Sequence, residues 1–333
     1  MMIERNWYQR SLLTFFLIPF SWLYRLIIFF RRLFYRVGLF KSARFSVPVI
    51  VVGNITTGGT GKTPLVAWLA TYLKNQGYRP GIVSRGFRAC AKSWPQVVTA
   101  DSNPVLVGDE PFLLAQKTQC PVVVDPDRVA AVKKLLADFD CDVVISDDGL
   151  QHYALERDIE IAVVDGVRHF GNQHCLPAGP LREPLHRLNQ VDFIVCNGAS
   201  ESNWYAMELL PDTVLNVADP SQEMTIEACR AIEWQALAGI GNPARFFLQL
   251  ESLGLTIHSH VFPDHYAFSK QDILFGQHDF VMMTEKDAVK CRSFADKRHW
   301  YLPVTARLES SFENDLLERF NHSNKAKNPV LYS

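Results

Sequence analysis

Short apolar runs punctuate the chain from position 49 onward, each closing on polar or glycine residues and most leading into a helical pattern. Val49–Val52, Gly81–Ser84, Pro121–Val124, Val143–Ser146, Ile159–Val164 and Phe193–Cys196 read as strands, and Pro64–Lys74, Glu110–Thr118 and Arg128–Ala137 as helices. Pro48, just before the first run, sits where no ladder N–H is required. Continuous Val/Ile runs, rather than alternating ones, belong to strands covered on both faces, so their alternation with helices predicts a mostly parallel, two-sided sheet. The pattern weakens through a Ser/Asn/Asp/Pro-rich stretch ending near Pro220, and a second series follows. It comprises a strand at Gln235–Ala238, a helix near Arg245–Leu253, a strand near Ile257–Phe262, and a strand at Phe280–Met283 that runs into a last helix. This predicts an α/β protein of two domains facing each other across a cleft: residues 41–205, then a smaller one over 206–325. The tail after Asn321 reads as frayed.

Residues 1–40 follow another rule. From Leu12 to Phe30 the chain is almost wholly apolar and aromatic, broken by Pro19 and Arg25. No small-residue cleavage site follows, and Arg31-Arg32 argues against a cleaved signal peptide. At helical spacing Arg10, Thr14, Ser21, Arg25, Arg32 and Arg36 gather in a stripe of roughly 80°. One narrow basic stripe beside a broad Leu/Phe/Ile/Trp face suits a helix lying at the headgroup boundary with its arginines toward anionic lipid. A full span would hide Arg25 in the bilayer, at high cost; if the helix did span, its Arg/Lys-rich flank would place the body in the cytoplasm. The competing expectation is an amphipathic helix packed on the protein itself.

Composition and charge sharpen this picture. The 333 residues are 48% apolar and 21% charged, as in a folded protein long enough for two domains. Net charge is −1, yet the first fifty residues hold eight basic side chains against one acid, Glu4, leaving 26 basic and 34 acidic residues in the remainder. A basic, apolar N-terminus on an acidic body indicates a membrane surface and not nucleic acid. The seven cysteines are odd in number and lack a C-x-x-C pair, which argues for reduced thiols and against a disulfide framework or zinc site.

Chemistry concentrates at the strand ends, where ligands sit in such folds. Between the first strand and first helix lies Thr56-Thr57-Gly58-Gly59-Thr60-Gly61-Lys62-Thr63, the form of a phosphate-binding P-loop, with Thr56 where the usual first glycine would stand. Glycines let backbone N–H groups converge on phosphate, Lys62 reaches the β/γ-phosphates, and the Thr63 hydroxyl is a Mg²⁺ ligand. Asp147-Asp148 close the fourth run, where P-loop enzymes place the acid that holds Mg²⁺. Asp109 and Glu110 open a helix: they either complement its dipole or set a carboxylate near the γ-phosphate to help deprotonate an acceptor. His265, after Pro263-Asp264, could supply an imidazole for the same task. Arg85, Arg128 and Arg182, each near glycine or proline, suit bidentate capture of phosphate or form surface salt bridges. The other strand-end polar residues are Asn54, Asp125, Asp165 and Asn197. The histidines and cysteine of 169–175 show no metal spacing.

Together these segments resemble one family, the tetraacyldisaccharide 4′-kinases of Gram-negative bacteria. The resemblance rests on Gly53-Asn54-Ile55-Thr56-Thr57-Gly58-Gly59-Thr60-Gly61-Lys62-Thr63-Pro64, Ser84-Arg85-Gly86, Gly108-Asp109-Glu110-Pro111, Asp147-Asp148-Gly149-Leu150-Gln151-His152-Tyr153, Phe170-Gly171-Asn172, Leu176 to Glu183, Asp264-His265 and Met283 to Cys291. It spans nearly the whole chain. It implies an ATP- and Mg²⁺-dependent kinase for the 4′-hydroxyl of a tetraacyldisaccharide 1-phosphate, at the cytoplasmic face of the inner membrane, with no obligate protein partner. It also implies two α/β/α domains joined by a short two-stranded link, the first P-loop NTPase-like. Lys62 and Thr63 would take phosphate and metal roles, Asp147 and Asp148 the metal side with Glu110 as a supporting acid, and Asp109 with His265 the activation of the acceptor. Thr284, Glu285, Lys286 and Asp287 would lie on the nucleotide side of the hinge. Arg85, Arg128 and Arg182, with the adjoining Glu183, would contact phosphate or lipid. The chain departs from the family at Phe87-Arg88, usually Tyr-Gly, and at Gln173, usually glycine. The alternative from another class is a membrane-associated switch ATPase of the MinD type. It would usually carry a second lysine early in the loop, where Ile55 and Thr56 stand, and has no use for an Asp-His pair. A soluble P-loop kinase or ligase leaves the N-terminal fifty residues unexplained.

Overall fold

The computed structural model describes residues 7–8, 12–198, 203–276 and 279–327. The Val/Ile runs form β1 (Val49–Gly53), β2 (Pro80–Ser84), β4 (Val122–Val124), β5 (Val143–Asp147), β6 (Ile159–Asp165) and β7 (Phe193–Asn197), almost every residue buried. With β3 (Gln96–Val98), β8 (Tyr205–Pro211) and β15 (Val304–Leu308) they build a nine-stranded sheet, ordered β15-β8-β7-β6-β1-β5-β2-β4-β3. Its seven inner strands run parallel, and β3 and β15 are antiparallel edges. One face packs Ile50 and Val52 against Leu65, Leu69 and Leu73 of α2 (Lys62–Asn75). The other packs Val49 and Val51 against Ala131, Val132 and Leu135 of a helix at Arg128–Asp138. Two helices precede that one, α3 (Pro104–Val107) and α4 (Asp109–Thr118), making it α5. The central register places Val52 beside Asp147, so the loop leaving β1 and the acids leaving β5 emerge together.

A second sheet of six strands has the order β10-β9-β14-β13-β11-β12, from β9 (Val214–Asn216), β10 (Glu223–Met224), β11 (Glu233–Ala238), β12 (Thr256–Val261), β13 (Phe280–Thr284) and β14 (His299–Leu302). Its helices are α6 (Ile226–Cys229), α7 (Pro243–Ser252) and α8 (Glu285–Cys291). The chain passes between the sheets twice, at 211–214 and 302–304.

Two expectations need correction. The segment 206–325 is not one continuous unit of the second layer, since β8 and β15 belong to the first sheet. The last helix, α9 (Ser310–Lys327), also returns there, burying Phe312, Leu316 and Phe320 in the first core at a spacing that keeps them on one face. Nor is the described part of that tail, up to Lys327, frayed. The Lys327 ammonium donates to the carbonyls of Phe45 and Val47 (3.0 and 2.9 Å) and pairs with Asp158 at 2.7 Å, which ties the helix end to the body.

The N-terminal apolar stretch forms α1 (Leu12–Arg36), unbroken at Pro19 and long and apolar enough to cross a membrane. The orientation of its polar stripe differs from expectation. Ser21, the buried residue of α1, donates to the Cys175 carbonyl at 2.8 Å, and Arg32 approaches Glu183 at 3.8 Å and donates to Gln190. Arg10 lies outside the described residues. The described stripe therefore turns partly toward the protein, because the buried Glu183 attracts Arg32 more strongly than solvent-screened charge would. Phe16, Phe20, Trp22, Leu23, Leu26, Ile27 and Phe29 stay exposed. The self-packed alternative accounts for the polar stripe but leaves that broad apolar face exposed among the described residues.

Candidate functional site

The phosphate loop takes its shape from two glycines in left-handed backbone, Gly58 (φ +96°) and Gly61 (φ +98°), which side-chain-bearing residues rarely adopt. At Gly61 there is also no room: an added carbon would stand 2.4 Å from the Asn197 amide nitrogen. That amide donates to the Thr60 carbonyl at 3.0 Å, and the Asn54 amide to the Thr60 hydroxyl at 3.3 Å. Thr56 is buried and bridges Leu181, while the Thr57 N–H donates to the Pro180 carbonyl at 2.9 Å. Gly59 is exposed at the crest, and Lys62 and Thr63 are the first two residues of α2, where free N–H groups and the positive dipole end favour an anion.

Facing this loop, two adjacent carboxylates diverge. Asp148 accepts two hydrogen bonds from Arg182 (3.0 and 2.9 Å) and lies 3.5 Å from the Lys62 ammonium. Burial opposes its ionisation, but Lys62 and then Arg182 outweigh burial and hold its carboxyl well below the usual carboxylate range. Asp147 is buried beside Glu110 and Asp148, and these three effects in that order push its carboxyl up to about 7, against the pull of Lys62 and Arg128. One Asp147 oxygen accepts from Ser84 at 3.2 Å; the other is buried without a hydrogen-bond partner among the described residues. An orphaned, buried carboxylate oxygen beside a phosphate loop fits a hard cation. No group of three or more His, Cys, Asp and Glu forms a metal cage among the described residues, and Mg²⁺ is commonly held by one or two carboxylates together with substrate phosphates.

The divergence predicts a pH dependence. A folded-state value raised to about 7 means that the native chain keeps a proton which the unfolded chain sheds above ~3.9. Stability of the metal-free protein therefore falls as pH rises through that window. Thermal unfolding in chelator should show that fall in the wild type, and Asp147→Asn should flatten it. An identical slope in the variant would remove Asp147 as the cause.

The third cluster joins the two sheets. His265, in left-handed backbone (φ +58°) beyond β12, brings its Nδ1 within 3.8 Å of Asp109 at the start of α4. Beside it the Lys286 ammonium donates to Glu110 at 2.9 Å and lies 3.3 Å from His265 Nε2. Burial favours neutral Lys286, but Glu110, Asp264 and Asp109 prevail and raise it above the usual lysine range. Burial would likewise raise Glu110, yet Lys286, then Lys62 and His265, bring it below the ordinary carboxylate value. Phe87, at the first departure from the family pattern, packs its ring on His265, and Gln173, at the second, takes the left-handed backbone (φ +61°) that glycine adopts freely.

The remaining candidates divide between cleft and support. Of Thr284 to Asp287, Lys286 reaches the Asp109–His265 corner. Thr284 caps α8, Glu285 pairs with Lys117 at 2.8 Å, and buried Asp287 accepts from the Gly239 N–H at 2.9 Å. Arg128 is buried beneath the aspartates, donating to the Asp125 and Asp147 carbonyls (both 3.4 Å), and burial above all lowers it to about 10. Glu183 is buried, accepting from Gln151 (2.8 Å) and Tyr153. Both are built as supports beneath the site, whereas Arg85 is exposed at the end of β2, without a hydrogen bond to any described residue. Arg168 was missed. It bonds Asp165 at 3.0 Å, the Gly59 carbonyl at 2.6 Å and the Gly241 carbonyl at 3.0 Å, tying the phosphate loop to the second layer. Its position three residues past the strand-end Asp165 was the available signal.

A parallel sheet whose central strand runs into a glycine loop and Lys-Thr, with an acidic strand end alongside, defines a P-loop phosphotransferase. Comparison with known proteins narrows this. The family description "Tetraacyldisaccharide-1-P 4′-kinase" (LpxK) matches residues 13–321. A tetraacyldisaccharide 4′-kinase of Nitrosococcus oceani is 51% identical, covering 98% of this chain and 96% of its own; one from Coxiella burnetii is 50% identical over 93% of each. The crystal structure of LpxK from Aquifex aeolicus in complex with ATP superposes with a TM-score of 0.78 at 30% identity, covering 93% of this chain and all of that one. The chain belongs to the tetraacyldisaccharide-1-P 4′-kinase family, which decides against the switch-ATPase alternative.

Proposed function

We propose that this protein transfers the γ-phosphoryl group of ATP to the 4′-hydroxyl of a tetraacyldisaccharide 1-phosphate. The observation that carries the reading is the meeting of three groups at the cleft between the sheets: the loop ending in Lys62-Thr63, the Asp147-Asp148 pair and the Asp109–His265 pair. The acceptor oxygen attacks the γ-phosphorus as the bond to the β–γ bridging oxygen breaks and ADP leaves; the hydroxyl proton passes to the Asp109–His265 pair. Lys62 and the loop N–H groups hold the phosphates where negative charge is redistributed, the main contribution a protein makes to such a transfer. Thr63 and Asp147, supported by Asp148 and Glu110, would hold Mg²⁺, which when bound neutralises phosphate charge. Exposed Arg85 is free to meet a substrate phosphate. The test is mass spectrometry of the tetraacyldisaccharide 1-phosphate after incubation with protein, ATP and Mg²⁺. A gain of one phosphate on the distal sugar is expected. Unchanged lipid, with ATP hydrolysis raised by a protein partner, would overturn the reading.

The same proposal sets the protein on the cytoplasmic face of the inner membrane, held by α1. Its support is the exposed apolar surface of that helix, with Phe20, Leu23 and Ile27 at 60%, 56% and 58% exposure, far beyond the scattered apolar residues of an ordinary surface. Replacing these three with serine should reduce co-sedimentation with anionic liposomes more than Arg25→Ala, because apolar burial supplies most of the affinity. Undiminished co-sedimentation of the triple variant would refute α1 as the anchor.

A further inference from the structure

The turn Gly86-Phe87-Arg88, which leaves β2 in the first layer, touches His265 and Gly108, the residue that precedes Asp109. Toward Asp109, it lies on the preceding residue: a carbon added to Gly108 would stand 3.4 Å from Gly86 Cα and from the Phe87 carbonyl oxygen. Toward His265, the Phe87 ring packs on the imidazole with centroids 5.0 Å apart. Arg88 reaches further across the cleft, its Nη1 donating to the main-chain carbonyls of Asp264 at 3.1 Å and His265 at 3.3 Å. The backbone at both ends is unusual: Arg88 has φ +59° and His265 φ +58°. Side-chain-bearing residues persist in that region where their surroundings over-determine them, and here each helps to determine the other.

We infer that Phe87 and Arg88 are positioning residues that carry His265 to Asp109. The inference rests on the reading of those two as the acceptor-activating pair. His265 is fixed to its own layer by its N–H bond to the Gly239 carbonyl at 3.1 Å, but that bond leaves the distance to Asp109 unset. The guanidinium of Arg88 sets it, gripping the His265 loop through charge-assisted bonds to carbonyls. Phe87 limits the tilt of the imidazole from one side, its ring inclined at 59° to it. Neither residue needs to touch the reacting atoms. A proton acceptor misplaced by about 1 Å loses much of its value, so the turn acts on the rate through His265.

The experiment is steady-state kinetics on the full chain with ATP and the tetraacyldisaccharide 1-phosphate, for Arg88→Ala, Arg88→Lys and Phe87→Ala, each in the wild-type and His265→Ala backgrounds. Arg88→Ala should lower kcat roughly 10- to 10²-fold, the scale of a small misplacement, with the KM for ATP nearly unchanged, which also reports an intact nucleotide site. Arg88→Lys should recover most of the loss, since an ammonium can donate to the same carbonyls. In the His265→Ala background the Arg88 and Phe87 substitutions should add almost nothing, because residues that act as a unit are not additive. A strongly impaired His265→Ala combined with multiplicative losses, or with a fully active Arg88→Ala, would overturn the positioning role alone. A fully active His265→Ala would instead overturn the acceptor-activating pair, and the positioning role with it.

Discussion

Asp109→Ala and His265→Ala are each expected to lower turnover roughly 10²–10⁴-fold, the range for loss of a general base, while ATP affinity changes little. The two side chains come from different layers, Asp109 from the start of α4 and His265 from the loop beyond β12, yet stand 3.8 Å apart, with 16% and 13% of their surface exposed. Such a pair can take a proton from a hydroxyl held at the cleft and share its charge between imidazole and carboxylate. Phosphoryl transfer gives a protein little covalent work, so positioning and one well-placed acceptor are what this corner would add under the proposed function. If the pair acts as a unit, the double variant should be hardly worse than either single one. Fully multiplicative losses would separate the two roles. An effect confined to a raised KM for the lipid would make His265 a binding residue.

Lys62→Ala is expected to lose at least ~10²-fold in turnover, the scale of one lost transition-state donor. Its ammonium sits at the start of α2, 3.5 Å from Asp148, and its charge counters the burial of both Asp147 and Asp148. Removing it would withdraw the clamp that the proposed function assigns to it. It also leaves Asp147, already pushed up to about 7, harder still to ionise, so the Mg²⁺ concentration needed for half-maximal rate should rise together with the loss in kcat. Titration of rate against Mg²⁺ checks both. Turnover within a few-fold of wild type would sink the assignment of this loop to phosphate.

Much of the first layer was legible because burial on both faces demands continuous apolar strands, and Val49–Val52 or Val143–Ile145 advertise that locally. The glycine loop was legible for a similar reason, since its geometry is written in neighbouring residues, Gly58 through Thr63. β8 and β15 were not: β15 is an edge strand, β8 lies just inside it, and both are of mixed exposure. Strand β8 lies within the weakly patterned stretch that ends near Pro220, and β15 joins it only after the whole second layer has been traversed. The face of α1 that meets the protein was likewise hidden. A narrow basic stripe serves lipid phosphate and a buried Glu183 equally well until the position of Glu183 is known.

The aspartates make the division plain. The sequence by itself determined that two acids end β5, that a glycine loop with Lys-Thr follows β1, and that an apolar helix leads the chain, because each depends on residues within a few positions of one another. Only the tertiary structure decided that Asp148 is held ionised by Arg182 and Lys62 while its neighbour Asp147 is pushed toward protonation by burial and Glu110. It likewise decided that His265 meets Asp109 and that Arg88 and Arg168 span the cleft. Those outcomes are set by electrostatic and hydrogen-bond terms that fall off over a few ångströms, between groups as many as 177 positions apart. Distance along the chain carries no information about such terms until folding has fixed the distance in space.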